Sequence, residues 1–510
     1  MNTPFDVLPE SLRDAIAQAC EITSTTNDPG KVADALVTFS QARALDFRTA
    51  IVRGGRGSGK SFWWAALQKS DHRDWIVRTL GAKLSKAENL EVYAGFGVSS
   101  DTDKYPSWRV LEELAKTHSD HLEDIWMAVL LNHVVPAEVS PFVGNTSWKE
   151  RVGWVASHVE EAESHLRDVV RNLEKHGRHI LIAFDALDRL ASTWQEIRPL
   201  AKSVLRFALG LQSHTRIRAK VFLRPDMLED TQITAFPDAS KLLDSQAKLD
   251  WSRIDLFALF FQRLGNAEDS AAANAFRIGT VRICQSCGFL TDEWTQQNGV
   301  WAVPKSLRSD DKAQKEIFHA LSGRAMSHNQ GNVKRGYPYT WLPNHLADSH
   351  DEISPRSFLS ALREAARHQG PHGSELSLYF TGIQKGVAKA SETRVTEITE
   401  DYPWVHIAMD PLRSQINVPC NRKEIIDLWE SGNVSESMRN TSSVDAEGQS
   451  PKLGPPKFLS SGLLGLLDDL IRLGIFSAQK GDRIQMPDVY RVAFGLGRRG
   501  GIPPMRPQPT

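Results

Sequence analysis

Over the first 250 residues, short apolar runs alternate with helical stripes of apolar positions. The runs predict strands at 49–52, 74–80, 180–184 and 220–223. Apolar residues at helical spacing predict helices at 62–67 and 197–211, and a mainly helical stretch at 106–177 whose last helix carries a stripe from Val152 to Leu173. Because strands alternate with helices, the pattern predicts an α/β fold with a parallel sheet and right-handed crossovers.

Outside this region the pattern is mainly helical. An opening helix follows Pro9, a second one is expected over 32–42, and helices at 254–264, 271–284 and 358–367 predict a helical lid. Near the C-terminus, a helix, two strands turning at 480–482 and a brief helix are compatible with a winged-helix-like module. Up to residue 250, the predicted organisation is an N-terminal helical segment (1–45) and an α/β core (46–250). The core contains a helical insertion at about 82–177, which is irregular over 82–105. After it come a helical lid (251–370), a mixed α/β or helical region (371–438), a linker (439–455), a winged-helix-like module (456–497) and a disordered tail (498–510).

Composition limits the class of protein. The 510 residues are enough for two to four domains, and the net charge of −1 gives no global field that favours nucleic acid or a membrane. No apolar run approaches the length of a spanning helix, and no signal-peptide core precedes the first helix. Four cysteines do not form a disulfide framework, so the sequence predicts a cytoplasmic protein without a membrane partner. Cys284 and Cys287 form one C-x-x-C; zinc would need two further ligands, and two small apolar residues near a helix end are the simpler interpretation.

Candidate chemistry begins with a glycine-rich loop between the first predicted strand and its helix. It has the form G-x-x-x-x-G-K-S, and its residues are Gly54, Gly55, Arg56, Gly57, Ser58, Gly59, Lys60 and Ser61, with Phe62 next in the helix. Backbone N–H groups of such a loop and the helix N-terminus cradle phosphates. Lysine contributes a charge to the β- and γ-phosphates, and serine offers a hydroxyl to Mg²⁺. The sequence therefore predicts a site for ATP and Mg²⁺.

Two acids and an arginine complete the predicted site. Asp185 follows the apolar run 180–184 and is the candidate for the Mg²⁺ shell, acting through a bound water. Asp188 is the candidate for orienting and deprotonating the attacking water. Arg224 ends the next strand, and a guanidinium suits the γ-phosphate because it stays charged and binds oxygens in pairs. The simpler alternatives are a strand-end cap for Asp185, a solvated helix-start acid for Asp188 and a salt bridge for Arg224.

The segments A-F-D-A-L-D (183–188) and V-F-L-R-P-D (221–226) resemble the second motif and the sensor strand of STAND ATPases, which neighbour the AAA+ family in the ASCE division. AAA+ proteins usually place Glu after the metal-binding Asp, where this chain has Ala186. The predicted lid also resembles lid segments of bacterial STAND-like ATPases, whose genes often lie in antiphage-defence operons. In this lid, Arg356 is a candidate sensor or a helix cap. The resemblance implies a slow ATP-driven switch. Because no effector domain is recognised, it also implies a homo-oligomer or an effector protein as partner.

A rival interpretation is a DNA-acting ATPase of the origin-binding or loader type, with the winged helix on double-stranded DNA. Its basis is a set of basic residues in that module: Arg472, Lys480, Arg483, Arg491, Arg498 and Arg499. Two other classes fit less well. A small-acceptor kinase is expected to be shorter, and an ABC ATPase would carry an L-S-G-G-Q-like signature between the loop and Asp185.

Overall fold

The computed structural model describes residues 4–23, 28–38, 40–80, 89–98, 101–144, 147–289, 292–370, 375–442, 461–498 and 502–505. The chain divides into two compact units. The sheet unit comprises 23–32 and 37–250, and the helical unit comprises 1–22, 33–36 and 251–510. In the described parts of the chain, none of the helices is both long enough and apolar enough to cross a bilayer.

A five-stranded parallel sheet forms the centre of the sheet unit. The strands of the whole chain are β1 (Ile51–Arg53), β2 (Leu90–Phe96), β3 (His179–Phe184), β4 (Ile217–Leu223), β5 (Ala247–Lys248), β6 (Thr295–Gln297), β7 (Val300–Ala302), β8 (Cys420–Asn421), β9 (Ser477–Gln479) and β10 (Arg483–Gln485). The sheet order is β2-β3-β4-β1-β5, with every pair parallel. The predicted α/β fold class with a P-loop core is therefore confirmed, and β4 lies between the loop strand β1 and the acid-bearing strand β3.

Helices flank this sheet and make up most of the helical unit. Up to residue 250 they are α1 (Pro9–Ala19), α2 (Ala42–Leu45), α3 (Lys60–Gln68), α4 (Ser70–Leu80), α5 (Trp108–Thr117), α6 (Glu123–Val134), α7 (Trp148–Ser157), α8 (Val159–Lys175), α9 (Trp194–Gly210), α10 (Pro225–Glu229), α11 (Thr231–Thr234) and α12 (Ala239–Leu243). The later ones are α13 (Arg253–Leu264), α14 (Ser270–Ser286), α15 (Lys305–Ser309), α16 (Asp311–Ser322), α17 (Pro338–Leu346), α18 (Pro355–Arg367), α19 (Phe380–Asp401), α20 (Trp404–Met409), α21 (Arg422–Ser431), α22 (Val434–Ser442), α23 (Gly462–Arg472) and α24 (Asp488–Phe494).

Two elements next to the sheet differ from the sequence prediction. The strand expected at 74–80 is part of helix α4, because His72, Trp75 and Ile76 are buried at the i, i+3, i+4 spacing of one helical face. The true strand is β2, which lies in the segment predicted to be irregular and pairs with β3. Residues 81–88 and 99–100 of that segment lie outside the described residues. The predicted helical insertion therefore begins with a strand, and its helices α5–α8 follow.

Two predicted helices are divided. The helix expected over 32–42 is a short 3₁₀ turn at Val32–Asp34 and the separate helix α2. The long helix expected over 152–173 is two helices, α7 and α8, because His158 leaves the helical region with φ −130° and ψ 52°. The apolar stripe crosses this break, which is why the pattern did not reveal it.

The helical unit has a large apolar core built from α1 and α13–α19. The predicted helices near 254–264, 271–284 and 358–367 are present as α13, α14 and α18. Helices α18 and α19 approach closely, since a Cβ at Gly386 would lie 2.1 Å from the Ala361 carbonyl oxygen. At the end of α14, Cys284 is buried and Cys287 is exposed, and both are free thiols.

A second core in the helical unit belongs to the winged-helix-like module. The predicted turn at 480–482 joins β9 and β10, and β8 completes an antiparallel sheet in the order β8-β10-β9. This core extends from Ile398 to Leu496, so the module begins well before the predicted boundary at 456. Residues 443–455 of the predicted linker lie outside the described residues, as do 499–501 and 506–510 of the predicted disordered tail. Within that tail, Ile502 is buried, which corrects the prediction there.

A buried lysine fixes the segment that leads into β1. Lys220 on β4 is 0% exposed, and its Nζ donates to the carbonyl oxygens of Ala44, Asp46 and Thr49 at 2.8, 2.9 and 2.7 Å. In its protonated form the side chain has three hydrogens, one for each of these carbonyl groups, and the neutral amine has two. These hydrogen bonds hold the turn before the glycine-rich loop against the sheet.

Replacing Lys220 with methionine is expected to lower the free energy of unfolding by about 2–4 kcal/mol, because three buried carbonyl groups lose their partner. Burial lowers the pKa of Lys220 from 10.5 to about 7, against the opposing charge of Asp46. Between these two values the unfolded chain binds more protons, so the wild-type stability should rise with pH in that window. Urea unfolding at several pH values from 7 to 9 tests this, and an equally steep rise in the methionine variant would contradict it.

Candidate functional site

The glycine-rich loop leaves the sheet between two neighbouring strands. The Gly54 N–H donates to the Leu223 carbonyl at 3.0 Å, and the Leu249 N–H donates to the Arg53 carbonyl at 2.8 Å. A Cβ at Gly54 would lie 2.3 Å from Ser58 Oγ, so any larger residue here would require the Ser58 side chain to move. Gly59 has a φ of +102° and is the N-cap of α3, which begins at Lys60. The strand, loop and helix order predicted for a phosphate cradle is present.

Lys60 lies over the loop. Its Nζ donates to the carbonyl oxygens of Gly54 and Gly55 at 2.8 and 2.9 Å. Burial lowers the pKa of Lys60, and the charge of Asp185 opposes that shift. The lysine is therefore a positioned cation whose charge interacts with the Asp185 carboxylate.

Ser61 and Asp185 meet at the carboxyl end of the sheet. Ser61 Oγ donates to Asp185 Oδ2 at 2.6 Å, although the residues are 124 positions apart in sequence. Asp185 is 2% exposed, and its backbone N–H donates to the Phe96 carbonyl of β2 at 3.0 Å. Burial raises the pKa of Asp185, and the hydrogen bond from Ser61 and the charge of Lys60 act in the opposite direction.

This pair of oxygen ligands fits Mg²⁺. Mg²⁺ keeps several waters and takes one or two protein oxygens together with substrate phosphates. A hydroxyl and a carboxylate in contact beside a lysine provide that donor set. Among the described residues, no group of three or more His, Cys, Asp or Glu side chains could hold a metal by itself, so the fit depends on phosphate oxygens.

Asp188 and Arg224 also lie at this edge of the sheet. Asp188 is in a 3₁₀ turn, Leu187–Arg189, which follows Ala186 in a left-handed conformation with φ +56°. Arg224 NH1 is 3.6 Å from Asp188 Oδ2, and its Nε and NH2 donate to the two oxygens of Asp226 at 3.0 and 3.1 Å. The salt bridge that was the simpler alternative for Arg224 therefore exists, and its main partner is Asp226.

The other predicted site residues occupy different surroundings. Arg56, Gly57 and Ser58 lie in the loop, and the Phe62 ring packs edge-on against Trp63 with centroids 5.0 Å apart. Arg356 belongs to the helical unit, where its NH1 donates to Glu397 Oε1 at 2.7 Å. Its role as a lid sensor remains a prediction.

Sequence reasoning missed Asp226 as a member of this site. The only signal was its place two residues after Arg224, in the first turn of α10. An acid in that position is also a common helix-start residue, so the pattern alone could not distinguish the two roles.

The sequence matches no protein-family model and no curated protein. Solved structures give matches over most of the chain. Cdc6p from Pyrobaculum aerophilum is 13% identical with a TM-score of 0.30, covering 93% of this chain and 94% of that one. The ORC2 protein of Aeropyrum pernix in ADPNP–ADP complexes is 11% identical, with a TM-score of 0.33 and coverages of 92% and 93%. The A. pernix ORC1 protein in complex with DNA is 13% identical, with a TM-score of 0.34 and coverages of 91% and 92%. At scores this low, the fold assignment rests on the strand order and the loop geometry described above.

Proposed function

We propose that this chain is a Mg²⁺-dependent ATPase of the AAA+-related, STAND-like type. The observation that supports this most directly is the 2.6 Å contact between Ser61 and Asp185, beside Lys60 at the carboxyl ends of the strands. Open α/β sheets bind ligands at that edge. The loop N–H groups and Lys60 would hold the β- and γ-phosphates, and Ser61 and Asp185 would hold the metal, which neutralises phosphate charge when bound.

In this proposal, Asp188 orients and deprotonates the attacking water, and Arg224 contacts the γ-phosphate. Asp188 is half-buried, so its carboxylate is accessible to a water molecule. Hydrolysis is expected to be slow, because Ala186 stands where AAA+ proteins carry glutamate and because Asp188 also contacts Arg224. A slow ATPase serves as a switch if its ATP and ADP states bind partners differently.

The proposed partners are further copies of this chain or an effector protein, and the resemblance to defence proteins makes antiphage defence the proposed setting. The experiment that identifies the partner is a pull-down with an Asp188→Ala chain in the presence of ATP, compared with ADP. A protein recovered only with ATP would support a switch. Equal recovery with both nucleotides would contradict it.

The alternative, a DNA-binding ATPase, depends on the basic residues of the winged-helix-like module. Arg491 is fully buried and bonds to Asp488, Leu496 and Ile502, so it cannot contact phosphates. Arg472 donates to Asp469, and Arg498 donates to Asp488. Arg499 lies outside the described residues. Helix α23, which precedes the β9–β10 hairpin, exposes Leu464 and Asp468. Lys480 and Arg483 are exposed at the β9–β10 hairpin, so among the described residues the alternative depends mainly on these two side chains.

The turnover of ATP is expected to change by less than about twofold when double-stranded DNA is added at 50 mM salt, a concentration at which phosphate contacts are strong. The measurement is steady-state phosphate release with and without a DNA duplex, repeated across a salt series. Size-exclusion chromatography with ATP and with ADP provides the parallel test of assembly. Strong stimulation that disappears with rising salt would instead support the loader type.

A further inference from the structure

Arg224 is held along one edge by a neighbouring carboxylate. Its Nε and NH2 donate to Asp226 Oδ1 and Oδ2, which uses one side of the guanidinium and leaves NH1 outside that pair. Both side chains are mostly buried, with 12% and 19% exposed. Pro225 stands between them with a restricted φ, and Asp226 is in the first turn of α10, so the pair is short-range and well fixed.

The remaining edge of Arg224 faces the candidate site. NH1 is 3.6 Å from Asp188 Oδ2, the carboxylate proposed to activate water. The charges of Arg224, Asp188 and Asp226 also act on Lys60. Burial has the largest effect and lowers the pKa of Lys60, and the charge of Asp185 raises it. Arg224 lowers this pKa further, and Asp188 and Asp226 raise it. The three side chains therefore share the electrostatic environment of Lys60.

We infer that Asp226 is a positioning residue that orients Arg224 so that NH1 faces the γ-phosphate, and that it thereby sets the preference of the site for ATP over ADP. The inference rests on the proposed function. ATP places a γ-phosphate within reach of such a cation and ADP does not, so a fixed guanidinium favours ATP selectively. An arginine without a buried carboxylate on its other edge would lose more side-chain freedom when it binds the γ-phosphate. It would therefore discriminate less between ATP and ADP.

The test is the ratio of ADP to ATP dissociation constants in Asp226→Asn, measured with Mg²⁺ and the full chain. Asparagine keeps the size and the helix-start position but lacks the charge, so the bidentate pair is lost. The ratio is expected to fall about tenfold, with the ADP dissociation constant within about twofold of wild type. A purely structural defect would weaken both nucleotides together and leave the ratio unchanged.

A double-mutant cycle shows whether Asp226 acts through Arg224. In an Arg224→Ala background, Asp226→Asn is expected to leave the ratio unchanged. Arg224→Lys keeps the charge but not the bidentate fork, and it should reduce the ratio as Asp226→Asn does. Asp226→Glu keeps the charge but moves the carboxylate, so it should also lower the ratio and keeps the test available if Asp226→Asn does not fold.

The outcomes separate this inference from the proposed function. A wild-type chain that binds neither nucleotide overturns both. A wild-type chain that binds both nucleotides, with an unchanged ratio in the folded Asp226 variant, overturns only the role of Asp226. A higher ratio would mean that Asp226 competes with the γ-phosphate for Arg224, and an effect that persists without Arg224 would mean that it acts by another route. Either result also overturns the inference.

Discussion

Lys60→Ala is expected to weaken MgATP binding at least about 100-fold, because removing a charged hydrogen-bond donor to phosphate from a partly buried site costs about 3 kcal/mol. The lysine lies directly over the loop and contacts two of its carbonyl groups, so no other described side chain occupies the same position. The measurement is a titration with a fluorescent ATP analogue, with circular dichroism to confirm that the variant is folded.

Lys69→Ala is the matched control. Lys69 is exposed at the C-terminal end of the same helix, and its side chain is not part of the candidate site. The control should bind like wild type. If Lys60→Ala also binds ATP with wild-type affinity, the loop is not the phosphate site and the account of the chain as an ATPase is wrong.

Asp188→Ala is expected to lower kcat by about 100-fold or more, which is the usual contribution of a positioned general base. Nucleotide affinity should stay within about threefold of wild type, because Asp188 makes no hydrogen bond to the loop or to Ser61 among the contacts of the described residues. The separation of binding from turnover is the informative feature. Steady-state phosphate release and the fluorescent titration measure the two quantities independently.

Asp244→Ala provides the control for this variant, since Asp244 is an exposed acid of the same unit beyond the candidate site. It should leave both kcat and affinity unchanged. Normal turnover in Asp188→Ala would show that another group activates the water, and the resemblance of A-F-D-A-L-D to the STAND motif would then have misplaced the base.

The parts of the site that the sequence predicted are those with a short-range signal. The loop from Gly54 to Ser61 is recognisable because glycines, lysine and serine stand at fixed spacing between a strand and a helix. Asp185 was predictable because β3 is buried on both faces and reads as one uninterrupted apolar run, so its end is sharp. Their 2.6 Å contact follows from parallel strands whose carboxyl ends share one edge.

The missed elements depend on contacts with distant parts of the chain. Strand β2 includes Glu91, Tyr93 and Gly95 and is only partly buried, so it lacks the uniform apolar pattern of β3, and its register comes from that partner. The short apolar run in α4 resembles a strand until the burial of His72 reveals the helical face.

Two polar residues were missed for a similar reason. Lys220 reads as a charge inside an apolar strand, and its role appears only when the segment from Ala44 to Thr49 folds over it. Asp226 acquires its role from the orientation of the Arg224 side chain, which no spacing rule specifies.

Calorimetry of the full chain with ATP tests whether Lys60, Ser61 and Asp185 form one site for a metal-bound triphosphate. A single site of this kind should give a saturable heat with a stoichiometry near one in the presence of Mg²⁺. The heat should be much weaker when Mg²⁺ is chelated or when Asp185 is replaced with asparagine. An absence of heat with MgATP, or a full heat from Asp185→Asn with the same Mg²⁺ dependence, would contradict the existence of such a site.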